Sequence, residues 1–237
     1  MPKKNMEKNE VNLSIQEVVK QKEVISEKSK PETNDEQPSK GSFVIKSISK
    51  DKNLTVLSET SIEDLIKAYP MLGKIDGIKK LKVPLLVISE CAETEIKKHV
   101  MWDKKTNENV YEQGGILIGK PYMVNSQIVG IVEHIIPAEV NNSSPVYLKM
   151  STETWVKMLN IYDEQYKEDG LFVIGWFHTH PNSLSVFMSS TDIKTQHAFF
   201  NQEWHFSVVL NPHRKLIACF NSYKANKCNY YPIDFTK

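Results

Sequence analysis

Cysteine is scarce in this chain of 237 residues. There are three, Cys91, Cys219 and Cys228, and no two form a C-x-x-C pair. An odd count without pairing spacing argues against a disulfide framework and against a cysteine-built zinc site, and it fits a reducing compartment. Net charge is nearly absent as well, because 30 Lys and Arg face 29 Asp and Glu, leaving +1. That balance gives no electrostatic footprint for nucleic acid and no polybasic patch for a membrane. No apolar run approaches the roughly 18 residues needed to span a bilayer. The opening "MPKKNMEKNE" has no apolar stretch, so it is not expected to act as a signal peptide. No repeat of fixed period is visible. The expectation is a cytoplasmic protein that engages neither nucleic acid nor membrane.

What is present is enough for a core: 40% of the residues are hydrophobic. The length suits one globular domain with an appendage. Residues 1–40 are rich in Lys, Glu, Asn, Ser and Gln, a composition that buries too little apolar surface to offset chain entropy. They are expected to be a disordered tail. Within them Val11, Ile15, Val18, Val19 and Ile25 recur at near-helical spacing. That pattern reads as a transient helix or as a docking helix for a partner. Residues 41–81 read as a small extension. Its "SFVIKSISKDKNLTVL" suggests two short strands. Its "SIEDLIKAYP" suggests a helix opened by Ser61 with Asp64 and stopped near Pro70. Gly73 and Gly77 are expected in a linker.

Residues 82–237 read as the main domain. "VPLLVIS" is a buried-strand run, and Ser89 can cap a helix over "ECAETEIKKHVMW". "GGILIGKPY" and "QIVGIVEHIIPA" are two strands joined by a short turn. "STETWVKMLNIYDEQYKEDG" is an amphipathic helix with Trp155, Met158, Leu159 and Tyr162 on one face, ended by Gly170. "LFVIGWFHTH" is a strand and "STDIKTQHAFFN" a helix. "WHFSVVLNP", "LIACFN" and "CNYYPIDF" are further strands. Strands and helices mix without strict alternation, which predicts an α+β or a mixed-sheet α/β fold, the favoured form being α/β with a mixed sheet flanked by helices.

One segment concentrates chemistry: "GWFHTHPNSLSVFMSSTD", residues 175–192. A strand sends alternate side chains to one face, so His178 and His180 point the same way. Two imidazoles on one face can reach a single zinc ion at about 2.0–2.1 Å. Asp192, at the start of the next helix, can return as a third ligand, leaving the fourth position open for water. Taken alone, Ser189 and Asp192 also fit an S-x-x-D cap, and Glu112 in "YEQGGILIGKPY" fits a solvent-facing strand-edge carboxylate. The other histidines, His99, His134, His197, His205 and His213, show no ligand spacing. Trp155, Trp176 and Trp204 read as core.

Together, "E-x-x-G-I-L-x-G" and the downstream "G-W-F-H-T-H-P…S-S-T-D" resemble the JAMM (MPN-plus) zinc metalloproteases, in a bacterial-type form. The resemblance spans roughly residues 82–220. It implies that His178, His180 and Asp192 bind Zn2+, that Glu112 is the general base and acid, and that Ser189 steadies the tetrahedral intermediate. The loop Pro181–Met188 is one residue longer than the family pattern, while the Ser189-x-x-Asp192 spacing is kept. The resemblance further implies an isopeptidase or peptidase that cuts after the C-terminus of a ubiquitin-like protein, with water on the zinc as nucleophile. The alternatives are a non-catalytic interaction module of the same fold and a peptidase acting on a sulfur-carrier protein.

Overall fold

The computed structural model describes residues 57, 59–102, 111–139 and 150–231. The tail, the strands expected near residues 43–56 and the last residues of "CNYYPIDF" lie outside them. Leu57 to Lys237 form one unit.

Four α-helices occur among the described residues: α1 (Ile62–Ala68), α2 (Glu90–His99), α3 (Thr152–Gln165) and α4 (Ser190–Phe199). Each is preceded by a serine in extended conformation: Ser61, Ser89, Ser151 and Ser189. Each serine Oγ accepts the N–H three residues on, which satisfies one of the donors that a helix start leaves without a partner. Ser61 and Asp64 therefore start a helix as their spacing predicts. Gly73 and Gly77 do not lie in a loose linker. They belong to two 3-10 turns, Pro70–Lys74 and the segment around Ile78–Lys80, whose Leu72 and Ile78 are buried. Gly77 supplies the left-handed φ of +73° between the turns. Ile62, Leu65, Leu72 and Ile78 share one cluster with Leu85, Val87, Val129 and Ile131, so residues 62–78 are packed into the domain core.

The described residues also form seven strands: β1 (Leu85–Ile88), β2 (Gly114–Val124), β3 (Gln127–Pro137), β4 (Phe172–Thr179), β5 (Phe206–Asn211), β6 (Leu216–Asn221) and β7 (Asn226–Tyr231). Their order is β1-β3-β2-β4-β5-β6-β7, and β1 pairs with β7 to close a barrel. The sheet is mixed, as the element pattern predicts, but its closure is not readable from that pattern. Closure requires bending, and β2 shows where it occurs. Its register shifts against β4 at Leu117/Ile118 and against β3 at Ile118/Gly119. A bulge there increases local twist and turns the strand. Gly119 permits it, since a Cβ at that point would collide with the Ile131 carbonyl.

Helix α3 lays Trp155, Met158, Leu159 and Tyr162 inward, and Tyr162 Oη donates to the Leu171 carbonyl at 2.9 Å. Trp155 stacks on Phe199 of α4 with ring centroids 4.7 Å apart. Helix α3 stops at Gln165, short of Gly170, which adopts a left-handed φ of +70° in the turn before β4. β4 and β5 are parallel, and α4 is the crossover between them. That connection places the first turn of α4 beside the carboxyl end of β4, where the two histidines lie. No helix among the described residues is long and apolar enough to cross a membrane.

Candidate metal centre

His178 is the penultimate residue of β4, and His180 follows its end. Trp176, His178 and His180 alternate onto one face, and Trp176 stacks flat on the His178 ring at 4.6 Å. Trp176 Nε1 donates to Gln196 Oε1 at 2.6 Å, and the Gln196 amide donates to the Phe200 and Ser222 carbonyls. The buried indole is thereby fixed, and so is the ring lying on it. His180 is fixed differently. Its Nδ1 lies 2.8 Å from the Ser185 carbonyl, which can only accept, so Nδ1 carries the proton and Nε2 presents a lone pair.

Asp192 is the third residue of α4. Its Oδ2 accepts the Ser189 N–H at 2.7 Å, while Ser189 Oγ accepts the Asp192 N–H at 3.2 Å. This reciprocal capping box holds the carboxylate at the mouth of β4. Accepting that bond leaves the Ser189 hydroxyl proton for another acceptor.

His178 Nε2 and His180 Nε2 are 3.2 Å apart, and Asp192 Oδ2 lies 3.3 Å from the first and 3.6 Å from the second. Donors held about 2.0–2.2 Å from one tetrahedral zinc ion would stand about 3.3–3.5 Å apart. The three atoms therefore match one face of a zinc coordination tetrahedron. The residues are 1%, 4% and 9% exposed, so water does not supply the compensation these electron-rich atoms need. Burial opposes ionisation of Asp192, but both imidazoles and Ser189 hold its carboxyl well below the usual range. Burial likewise opposes charge on His180, yet Asp192, the Ser185 carbonyl and Glu112 raise its pKa. The field at this point favours a cation, and the donor set fits zinc.

Glu112 is buried at 6% exposure, not solvent-facing. It precedes β2 by two residues rather than lying on it. Gly114 pairs with His178 across the antiparallel β2–β4 ladder, which brings Glu112 opposite His180. The Gln113 N–H donates to Thr179 Oγ1 and the Thr179 N–H to the Gln113 carbonyl, both at 2.8 Å. The structure thus gathers His178, His180, Asp192, Ser189 and Glu112 at one end of β4. Ser190 is exposed at the helix start.

The connection from Pro181 to Met188 is held from two sides. Asn211, buried at the end of β5, donates to the Asn182 and Leu184 carbonyls at 3.0 and 2.7 Å. Val186 and Met188 pack on Val209, Ala218 and Phe220. Asn182, at φ +60°, takes the left-handed turn, so the extra residue is absorbed without displacing Ser189 from Asp192. Asn211, Gln196 and Thr179 are supporting residues that the motif does not point to. An amide closing the apolar run "FSVVLN" is the one signal for Asn211.

Most other histidines have structural roles. His99 donates to the Gly114 carbonyl, and His213 accepts the Asn182 N–H. His205 accepts the Gln202 N–H, and His197 is exposed beside Tyr223. Trp155, Trp176 and Trp204 are buried.

The family model for prokaryotic homologs of the JAB domain matches residues 97–221, just over half of the chain and all five residues of the site. The chain belongs to this family. A similar solved structure is the solution structure of protein DSY2949 from Desulfitobacterium hafniense. It is 13% identical, with a TM-score of 0.43, and the match covers 61% of this chain and 90% of that one. Comparison with curated proteins gives no match. In this JAB-family domain the matched span begins inside α2 and ends with β6, so it takes in the centre and the strands that build it.

Proposed function

We propose that this JAB-family chain is a zinc-dependent peptidase of isopeptidase type. Its substrate would be the peptide or isopeptide bond that follows the C-terminus of a ubiquitin-like protein. The observation that carries the chemistry is the convergence of His178, His180 and Asp192 beside a buried Glu112. When bound, zinc supplies Lewis acidity, which lowers the pKa of water and polarises a carbonyl. Glu112 takes the proton of the attacking water and delivers it to the amine as the C–N bond breaks. An amide has a poor leaving group, so this delivery matters as much as the attack. The Ser189 hydroxyl donates to the oxygen that gains charge. Trp176 and Ser185 keep the imidazoles in place. The exposed side chains of Leu184 and Phe187, the latter 5.0 Å from the His180 ring, offer an apolar rim on which an extended chain can lie. The ubiquitin-like substrate class rests on the motif resemblance.

The test joins zinc analysis to cleavage of a ubiquitin-like fusion and of a conjugate. Wild type should hold zinc at this site, and His178→Ala should lose it. Glu112→Gln should keep the metal while turnover falls by about 10²–10⁴, the range for a lost acid–base group. Near-normal cleavage by that variant would remove Glu112 from the mechanism. A zinc-loaded wild type that cuts neither substrate would overturn the substrate class and leave the metal centre standing.

A further inference from the structure

A second group of ligand-type side chains lies away from the JAB centre. Cys91 and Glu95 are one turn apart on α2, and His134 projects from β3 beside them. His134 pairs with Ile118, and Ile118 pairs with Val173 near the start of β4. His178 is five residues further along that strand, about 16 Å at the rise of an extended chain. The two groups are therefore separate. The scarcity of cysteine and the lack of a C-x-x-C pair argue against a cysteine ligand in sequence, but tertiary folding supplies the two partners that spacing does not.

Three atoms converge. Cys91 Sγ is 3.5 Å from Glu95 Oε1 and 3.7 Å from His134 Nδ1, and the last two are 3.2 Å apart. Zinc bonds of about 2.3 Å to sulfur and about 2.0–2.1 Å to nitrogen and oxygen, at tetrahedral angles, would separate sulfur from the other donors by about 3.5–3.6 Å and nitrogen from oxygen by about 3.4 Å. The observed triangle has that size and that order of edges. It is also supported from behind. Glu95 Oε2 accepts the Ile135 N–H at 2.9 Å, which aims Oε1 at the other two donors. The His134 ring packs against Tyr166 at 5.3 Å, which sets its orientation.

A nucleophilic role fits less well. Sulfur and carboxylate meet the same imidazole nitrogen, so no relay from thiol through the ring to an acid is formed. Local desolvation and the Glu95 charge also raise the Cys91 thiol, exposed though the residue is, opposite to an activated cysteine. A divalent cation reverses that balance by stabilising the thiolate.

We propose that Cys91, Glu95 and His134 form a second metal site for a zinc-class divalent ion, with the fourth position open to solvent. Cys91 is exposed while Glu95 and His134 are half-buried, so the ion enters from the surface. Bound there, it cross-links α2 to β3. This site stands independently of the peptidase reading.

Cobalt distinguishes the two sites, because the His178 site has no sulfur ligand. The full-length protein is stripped of metal and titrated with Co2+, and the near-ultraviolet thiolate-to-cobalt charge-transfer band is recorded with metal content. Wild type should show the band. Cys91→Ser and His134→Ala should each lose it together with one cobalt equivalent. His178→Ala should keep the band in full. Cys91 is exposed, so the serine variant should keep the wild-type circular dichroism spectrum. Absence of the band in wild type would overturn the proposal, as would its persistence in Cys91→Ser, which would place the thiolate at another cysteine.

Discussion

Gln113 and Thr179 clasp each other. Each backbone N–H finds an acceptor on the other residue, one a carbonyl and one a side-chain hydroxyl, both at 2.8 Å. The ladder of β2 and β4 thus continues past its last regular pair, and the carboxylate of Glu112 is carried to His180.

Replacing Thr179 with Val keeps the shape and deletes one acceptor. The Gln113 N–H then lacks its partner, at a cost of about 1–3 kcal/mol. Zinc content should stay at the wild-type level, while turnover on a ubiquitin-like fusion should fall about 10–100-fold, as for other residues that orient a site. Loss of zinc in Thr179→Val would show that the clasp supports the ligands rather than Glu112.

Ser189 and Ser190 should separate cleanly. Ser189 closes the capping box and holds Asp192. Ser189→Ala should lower stability by about 0.5–2 kcal/mol, the usual worth of an N-cap, and reduce turnover as well. Ser190 is exposed, and Ser190→Ala should change stability by less than about 0.5 kcal/mol. Thermal melts and turnover of the two variants decide the matter. A larger loss of turnover for Ser190→Ala would transfer the role to Ser190.

Asn211→Ala removes both amide bonds that hold the connection between His180 and Ser189. Two carbonyls then lose a donor, and a cost of about 1–3 kcal/mol is expected in urea unfolding. The segment from Asn182 to Ser185 should exchange amide hydrogens faster, while β4 remains protected. Unchanged exchange there would mean that Val186 and Met188 suffice to hold the loop.

His205 predicts a pH dependence. Burial pushes its pKa from 6.5 down to about 3, partly opposed by the Phe200 backbone. The unfolded chain therefore takes up the proton first as pH falls. Stability from this residue is complete above about pH 6.5 and is lost as pH drops toward the folded value of about 3. The slope approaches about 1.4 kcal/mol per pH unit within that window. His205→Asn keeps a polar acceptor but does not titrate. Its stability should fall less steeply between pH 6 and 4 than that of wild type, by urea unfolding at each pH. Equal slopes would mean that His205 is not held neutral in the fold.

Local chemistry carried much of this protein in its sequence. The caps Ser61, Ser89 and Ser189, the apolar run "LLVI" and the buried stripe on α3 follow from spacing alone, because capping and amphipathic periodicity act over a few residues. The same is true of His178 and His180, whose shared face is a property of any extended strand. Tertiary structure decided what depends on distant segments meeting. Gly73 and Gly77 look like linker residues until Leu72 and Ile78 find β1 and β3 to pack against. Barrel closure depends on β1 pairing with β7 across most of the domain, which no local pattern encodes. Glu112 reads as a surface carboxylate until the β2–β4 register buries it beside His180. Cys91 reads as a lone thiol until α2 lies on β3 and sets it against His134. Spacing along a chain determines which side chains share a face, and packing between elements determines which faces meet.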